Sequence, residues 1–441
     1  MEWIDVKFSD FLKERKGRYK PNDEAIKGLK RIEKIDFSGQ IYISDKPSKT
    51  DMILVKDGDL VISGINVEKG AMNIFHGNED VVATIHYSSY TYDTNVIELE
   101  FLKHFLKSKK FKDVLKEQVP GGIKTEIKPK HLLPLQIQIP KSLDDQKKIV
   151  EHLDQLYDKL NDSSTEITHQ LDLIKNLRQA FLREAMQGIL VSNETSDNKT
   201  GADLLAEIQA EKAQLVKEKK IKKPKPLAPI TEDEIPFDIP ENWTWCRLGE
   251  LADLITKGSS PKWQGVKYVD SYEEGILFVT SKNIDYYNVD LSNATYVTSN
   301  FNEIEPRSIL QKGDLLTNIV GGSIGRTAIY NEDFIANINQ AVCLIRLNEI
   351  INKLFMLNLF NSDYIVSEMF KNQFSPGRAN LSMSNIENFA IPLPPLEIQE
   401  RIVAKLDELM SYCDALEEQV KQSQQTNELL LQQVLREALG A

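Results

Sequence analysis

Two stretches of the chain carry apolar residues at alternating steps of four and three. Within residues 141–188 the positions are Ile149, Leu153, Leu156, Leu160, Ser163, Ile167, Gln170, Ile174, Leu177, Phe181 and Ala185. Within 396–441 they are Ile402, Leu406, Leu409, Cys413, Leu416, Val420, Ser423, Asn427, Leu430, Val434 and Ala438. This spacing keeps one stripe on one face of a helix, and a stripe held for about five heptads marks a coiled coil. Pro140 and Pro394–Pro395 stand just before the two helices, where proline is tolerated. Gln170, Ser423 and Asn427 put polar groups on the stripe, at a cost in stability but with a gain in register. The expected pairing residues are Ile149, Leu153, Leu156, Leu160, Ile167 and Ile174 on the first helix. On the second they are Ile402, Leu406, Leu409, Leu416, Val420 and Leu430.

The two helices are copies. Gln146-Lys-Lys-Ile-Val-Glu-His-Leu-Asp-Gln-Leu156 matches Gln399-Glu-Arg-Ile-Val-Ala-Lys-Leu-Asp-Glu-Leu409, and Leu182-Arg-Glu-Ala185 matches Leu435-Arg-Glu-Ala438 without a gap. The repeat extends backwards. Ile137-Gln-Ile-Pro140 aligns with Ile391-Pro-Leu-Pro394, Lys124-Thr-Glu-Ile127 with Arg378-Ala-Asn-Leu381, and Asp57-Gly-Asp-Leu60 with Lys312-Gly-Asp-Leu315. Trp3, Val6, Lys7, Phe8, Asp10 and Phe11 align with Trp243, Cys246, Arg247, Leu248, Glu250 and Leu251.

The chain is therefore expected to hold a first globular domain (1–140), a helix (141–188), a linker with a short helix (189–241), a second globular domain (242–395) and a second helix (396–441). The fold class is α/β, mixed α+β: two tandem domains joined by two long antiparallel coiled-coil helices with pseudo-two-fold symmetry. Antiparallel pairing is expected because it satisfies that symmetry.

Inside the domains, residues 51–62 and 79–99 read as strands, with turn signals at Lys56-Asp57-Gly58-Asp59 and His76-Gly77-Asn78. Lys312-Gly313-Asp314 and Tyr330-Asn331-Glu332-Asp333 repeat this in the second domain. Short helices are expected at 101–117 and 350–371. Asp203 to Lys220 reads as a solvated helix, and Lys222 to Pro236 as an extended, proline-punctuated linker.

Composition sets the class. With 41% hydrophobic and 27% charged residues the chain can build real cores. No apolar run is long enough for a transmembrane helix, and Met1 to Asp5 does not open a secretory signal. Cys246, Cys343 and Cys413 stand far apart and have no zinc-site spacing, so a cytoplasmic location is expected. The net charge of −12 argues against nucleic acid until its distribution is read. Residues 1–140 hold 23 basic against 21 acidic residues, whereas 396–441 hold 4 against 9. Residues 13–34 hold nine basic and four acidic residues, and 103–130 hold nine and three. A local basic surface decides phosphate contact more than the sum does.

Catalytic motifs are missing. The sequence has no GxxxxGK[ST] loop, GxGxxG or HExxH, and no Asn/Asp-Pro-Pro-Tyr of an amino-methyltransferase. Gly321 to Gly325 most simply makes a tight turn, and Asp23-Glu24 with Lys27 a surface turn. What remains suits the reading of double-stranded DNA, because Asn and Gln pair with adenine and Arg with guanine. The candidates in the second domain are Lys257, Ser259, Lys262, Gln264, Asn318, Arg326, Asn337, Asn339, Gln340 and Arg378. In the first domain they are Lys16, Arg18, Lys20, Ser63, Asn66, Lys69, Lys124 and Thr125. Each group alone is an ordinary polar loop; recurrence at matching places in both domains carries the reading. Lys124 and Arg378, each near glycine, are the expected backbone contacts.

This pattern resembles the specificity (S) subunit of type I restriction-modification enzymes. The resemblance rests on Asp238-Ile-Pro-Glu-Asn-Trp243-Thr-Trp-Cys-Arg-Leu-Gly249, on Ile391-Pro-Leu-Pro-Pro-Leu-Glu-Ile-Gln399, on the two Leu-Arg-Glu-Ala helix ends and on the linker Lys222 to Pro240. It implies a non-catalytic subunit whose two target-recognition domains each read one half of a bipartite, asymmetric DNA site. It also implies helices that space the half-sites and dock two modification subunits. Those subunits would use S-adenosylmethionine, and restriction subunits would use ATP; neither cofactor is expected on this chain, nor is a metal or a membrane partner. Two departures stand out: the first domain lacks the Pro-x-x-Trp opening of 240–243, and Ala441 follows the second helix immediately. A stand-alone DNA-binding regulator and an enzyme with a hidden active site are the rival classes.

Overall fold

A computed structural model describes residues 1–119, 126–371 and 381–438. The chain divides into two compact units, residues 1–170 with 419–441, and residues 171–418. Among the described residues no helix is long and apolar enough to cross a membrane.

In the first unit, strand Trp3–Lys7 pairs antiparallel with Gln136–Pro140, from Trp3 opposite Pro140 to Lys7 opposite Gln136. One four-stranded sheet runs Leu12–Glu14, Tyr87–Tyr92, Leu60–Ser63, Met72–Ile74. A second runs Ile41–Ser44, Arg31–Ile35, Val81–Thr84, Met52–Val55, with a parallel contact between its two middle strands. Phe8, Leu60, Tyr90, Phe101, Phe105 and Phe111 are among the large side chains buried between the first sheet and the helices.

The second unit repeats most of this topology. Thr244–Arg247 pairs antiparallel with Ala390–Leu393. One sheet runs Ala252–Lys257, Val342–Leu347, Leu315–Asn318, Thr327–Ile329. The other sheet departs from its counterpart: it runs Tyr268–Val269, Tyr296–Val297, Ile276–Val279, Ala336–Ile338, and its parallel pair joins Ile276–Val279 to the edge strand Ala336–Ile338.

Each expected short helix is two helices. The first breaks into Leu99–Lys107 and Lys109–Gln118, the second into Lys353–Phe360 and Asp363–Lys371. Ser108 donates its hydroxyl to the Phe105 carbonyl (2.6 Å), and Ser362 donates to the Leu359 carbonyl (2.5 Å). Asn361 adds a side-chain bond to the Leu357 carbonyl (3.0 Å). These polar groups offer the backbone an alternative to the helical ladder and end it in the same place in both units.

The long helices are Leu143–Met186 and Leu396–Ala438. A buried glutamine at the start of each fastens it to its own unit. Gln146 accepts from the Glu98 amide (2.7 Å) and donates to the Val96 (3.0 Å) and Pro140 (2.9 Å) carbonyls. Gln399 accepts from the Asn352 amide (3.1 Å) and donates to the Pro394 carbonyl (3.0 Å).

The helices run antiparallel within each unit. In the first, Asn427 donates to Ser163 Oγ (2.7 Å), and Val434 packs on the core that contains Ile149 and Leu153. In the second, Arg178 bonds Asp414 (2.7 Å) and Glu417 (3.0 Å), while Ile402 and Leu406 share a core with Leu182 and Ala185. Ile149, Leu153, Ile167, Ile174, Ile402, Leu406 and Val420 are buried, and Leu156, Leu160 and Leu409 half-buried. Leu416 and Leu430 correct the expected stripe: they are 45% and 47% exposed. Two helices cover one narrow stripe, and here it steps by seven through Cys413, Val420, Asn427 and Val434, leaving the alternate heptad position at its flank.

The linker helix, Gly201–Lys217, is not the solvated helix expected. It buries Leu204, Ile208 and Lys212. The Lys212 ammonium donates to the carbonyls of Gly249 (2.8 Å), Glu250 (3.1 Å) and Ala252 (2.6 Å). Burial pushes its pKa down. The extended segment beyond is strapped to the unit by Arg247, which donates to the Ala228 and Pro229 carbonyls and to both Glu234 oxygens.

Candidate nucleic-acid interface

In the second unit the loops that carry the candidates leave the first sheet at one edge. Strand Ala252–Lys257 ends opposite Cys343, near the start of Val342–Leu347. The next residue, Gly258, lies so close to the Ile338 and Asn339 carbonyls that no Cβ fits there. The Asn339 amide donates to Val279 O (3.1 Å), which brings in the loop 280–288. Ile319 N donates to Ala341 O (2.9 Å), which brings in 319–326. Leu381 reaches the same place by donating to Ile319 O (3.2 Å).

Burial sorts the candidates. Asn318 is fully buried and donates to the Ser281 (2.9 Å) and Ile284 (3.4 Å) carbonyls, tying two of these loops together. Asn337 is fully buried, bonded to Asn302 Oδ1 (2.8 Å), Glu305 O (3.0 Å) and the Ile338 amide (2.8 Å). Both were expected to read bases. Both are instead spent inside the fold, where their side-chain N–H groups donate to neighbouring oxygens.

Lys262, Gln264 and Gln340 face solvent, and Lys257, Ser259, Arg326 and Asn339 are half-buried. Gln264 donates to Glu305 (3.3 Å), and the Asn339 oxygen accepts from the Ala341 amide (3.0 Å). Arg326 lies 3.5 Å from Asp285 and over the Tyr286 ring at 6.0 Å. Ser259 Oγ and Asn318 Oδ1 are buried with no hydrogen-bond partner among the described residues. Arg378 lies outside the described residues.

The first unit presents the matching edge. Glu14 ends its strand beside Tyr90, and Ser63 ends its strand opposite Tyr87. Gly64 N donates to His86 O (2.9 Å), and Ile127 N to Gly64 O (2.8 Å), so three loops meet there. Ser63 is a correction: it is 5% exposed, held in the strand beneath the edge and closed to a ligand. Lys16, Arg18, Lys20 and Lys69 are exposed and Asn66 is half-buried. Arg18 pairs with Asp51 (2.8 Å), and Lys69 stands over the Phe37 ring at 5.2 Å. Lys124 and Thr125 lie outside the described residues.

Residue reasoning missed the aromatic side of the second edge: Trp263, Tyr286 and Tyr287 are exposed there. It also passed over Lys267 and Lys282, exposed on the same loops. Trp263 sits between Lys262 and Gln264 in sequence, a signal that was available. Among the described residues no group of His, Cys, Asp and Glu is arranged to hold a metal.

A duplicated α/β module, each copy with a polar, cation-bearing loop edge and a long helix, defines a class of tandem recognition proteins. The family model for the type I restriction modification DNA specificity domain matches residues 1–173 and 240–424, and the chain belongs to that family. It is 30% identical over 287 residues to the type I restriction enzyme EcoAI specificity subunit of Escherichia coli, covering 63% of this chain and 45% of that protein. It is 30% identical over 263 residues to the EcoEI specificity subunit of the same species, covering 57% and 43%. The chain thus spans less than half the length of these two relatives. A chain from a structure concerned with complex assembly and conformational transition of the type I R-M system shares its fold, with TM-score 0.66 and 18% identity over 99% of this chain and 97% of that one. The HsdS subunit from Thermoanaerobacter tengcongensis does so with TM-score 0.52 and 19% identity over 99% and 96%.

Proposed function

We propose that the chain is the DNA-reading, non-catalytic subunit of a cytoplasmic type I restriction-modification system. Each unit reads one half of a bipartite, asymmetric site in double-stranded DNA. The paired helices space the halves and dock methyltransferase subunits, which supply S-adenosylmethionine chemistry; restriction subunits supply the ATP-dependent steps. The observation that carries this reading is the recurrence, in a chain of this family, of one sheet edge with exposed cations in both units. Exposed lysines and Arg18 would hold phosphates, and Gln340, Gln264 and the side-chain NH2 of Asn339 would read base edges. The two expected backbone contacts, Lys124 and Arg378, remain part of this proposal.

The test is co-expression with the methyltransferase subunit and genome-wide mapping of methylated adenines. One bipartite sequence should be modified. Replacing the loops 257–264 and 339–341 should change one half of that sequence and leave the other. Methyl transfer or cleavage by the isolated chain, or modified sites with no bipartite pattern, would overturn the reading.

A further inference from the structure

The outermost side chain of the second unit's loop edge is an indole. Trp263 is 89% exposed. A tryptophan carries on the order of 150–250 Å² of largely apolar surface, which is unfavourable to hold in water. The ring nevertheless stands on a firm base. Pro261 and Val266 are buried on either side of it, and Val266 N donates to Pro261 O (2.9 Å). Trp263 N donates to Ser260 O (3.1 Å), and Gly265 closes the turn at φ +71°. Gln264 is tied to Glu305. Val266 itself packs with Ile276, Phe278, Val297 and Phe301.

The neighbours indicate the partner. Lys257 ends the strand that leads into this loop, Lys262 and Lys267 lie on it, and none of the three has an ion pair among the described residues. The carboxylate bonded to this loop, Glu305, is 8% exposed and engaged by Gln264 and Arg307. A tryptophan at a protein–protein hot spot sits in a ring of packed neighbours that exclude water. This one is ringed by cations, hydroxyls and an amide, the set that meets phosphates and bases.

We propose that Trp263 stacks on a base of the bound duplex, entering at a base step as a wedge, while Lys262 and Lys257 hold the flanking phosphates. This rests on the DNA-reading function proposed above. The corresponding loop of the first unit carries Tyr19, which is half-buried, pairs through its backbone with Met52 and packs its side chain beside Ile26 and Met52. The tryptophan wedge therefore acts on the half-site read by the second unit.

The test uses the full chain with its methyltransferase partner and the duplex that the wild type selects from a randomised pool. Trp263→Ala should weaken binding roughly 5- to 150-fold, from the about 1–3 kcal/mol of base–aromatic stacking, and Trp263→Phe should keep most of the affinity. The salt dependence should not change, because stacking releases no counterions. A fluorescent adenine analogue, moved through the site, should brighten at one position of one half-site with the wild type and stay dark with Trp263→Ala. The thermal melt of the variant should match the wild type, given the exposure of the ring. Full affinity and an unchanged fluorescence pattern in Trp263→Ala would overturn the wedge and leave DNA reading intact. Equal losses for Ala and Phe with no fluorescence change would also overturn it, placing the indole on a protein surface. A wild type that selects no duplex would overturn the DNA reading itself.

Discussion

Arg247 holds the linker to the second unit, and its removal has a size that can be worked out. Its side chain is 5% exposed and all five of its N–H groups are used. One bond goes to Asn388 O (2.6 Å) inside the unit. The others reach the linker: Ala228 O (3.0 Å), Pro229 O (3.0 Å) and the two oxygens of Glu234 (3.0 and 2.8 Å). Each carbonyl bond contributes about 0.5–1.5 kcal/mol net. Glu234 is 39% exposed, so its pair with Arg247 is discounted to about 1 kcal/mol. Arg247→Ala should therefore weaken linker docking by about 2–4 kcal/mol, which raises the released fraction roughly 30- to 1000-fold. Limited digestion by a glutamate-specific protease reads this at Glu232 and Glu234. Where reclosing outpaces cleavage, the rate follows the released fraction. Arg247→Lys keeps the charge and loses the fork, so it should fall between. A folded Arg247→Ala protein cut at the wild-type rate would refute the assignment and leave the docking to Phe237, which packs on Trp245 and Tyr364 at 5.3 and 5.4 Å.

Hydrogen bonding by Arg247 holds the Glu234 carboxyl down to about 2, against an ordinary 4.5. A depressed carboxyl stabilises the docked linker fully above pH about 4.5, and this is lost as pH falls through about 2; the resonance of a fluorinated Trp245 should shift over that window in the wild type and not in Glu234→Gln. Asn337→Ala should cost about 1–3 kcal/mol in thermal stability, because it strands the buried groups bonded to that amide. Gln340→Ala should leave the melt unchanged and relax one position of one half-site by about 1–3 kcal/mol, read from methylation maps. The double change Asn427→Leu with Ser163→Ala should raise the stability of the helix pair by up to about 1 kcal/mol, read by thermal melting, since both halves of a half-buried polar contact leave together.

What the sequence reveals of this fold is whatever repeats. Heptad spacing survives in the buried positions of both long helices, and copied segments such as Gln146 to Leu156 and Gln399 to Leu409 mark equivalent elements. Lines of Leu and Ile report burial directly, because one face of a helix must be covered. Even there the width of the stripe is not written locally. Leu416 and Leu430 fit the period, yet stand in water, because one partner helix covers only so much. The amides are harder still. Asn337 lies in strand Ala336–Ile338 and Asn339 just past its end, and the chemistry of their side chains is identical. One is walled in by Asn302 and Glu305, from a segment about 35 positions earlier, and the other faces the edge. Which amide is structure and which is recognition is decided by what packs opposite, a long-range property that composition and spacing do not carry. Trp263 is the converse case. Its exposure depends on Pro261 and Val266 being drawn inward on either side, so a residue type that usually signals core is here lifted out of it. An exposed edge of this kind is built by burying its supports, and the supports range from apolar, as Pro261 and Val266 are, to amides such as Asn337 that match the exposed ones in chemistry.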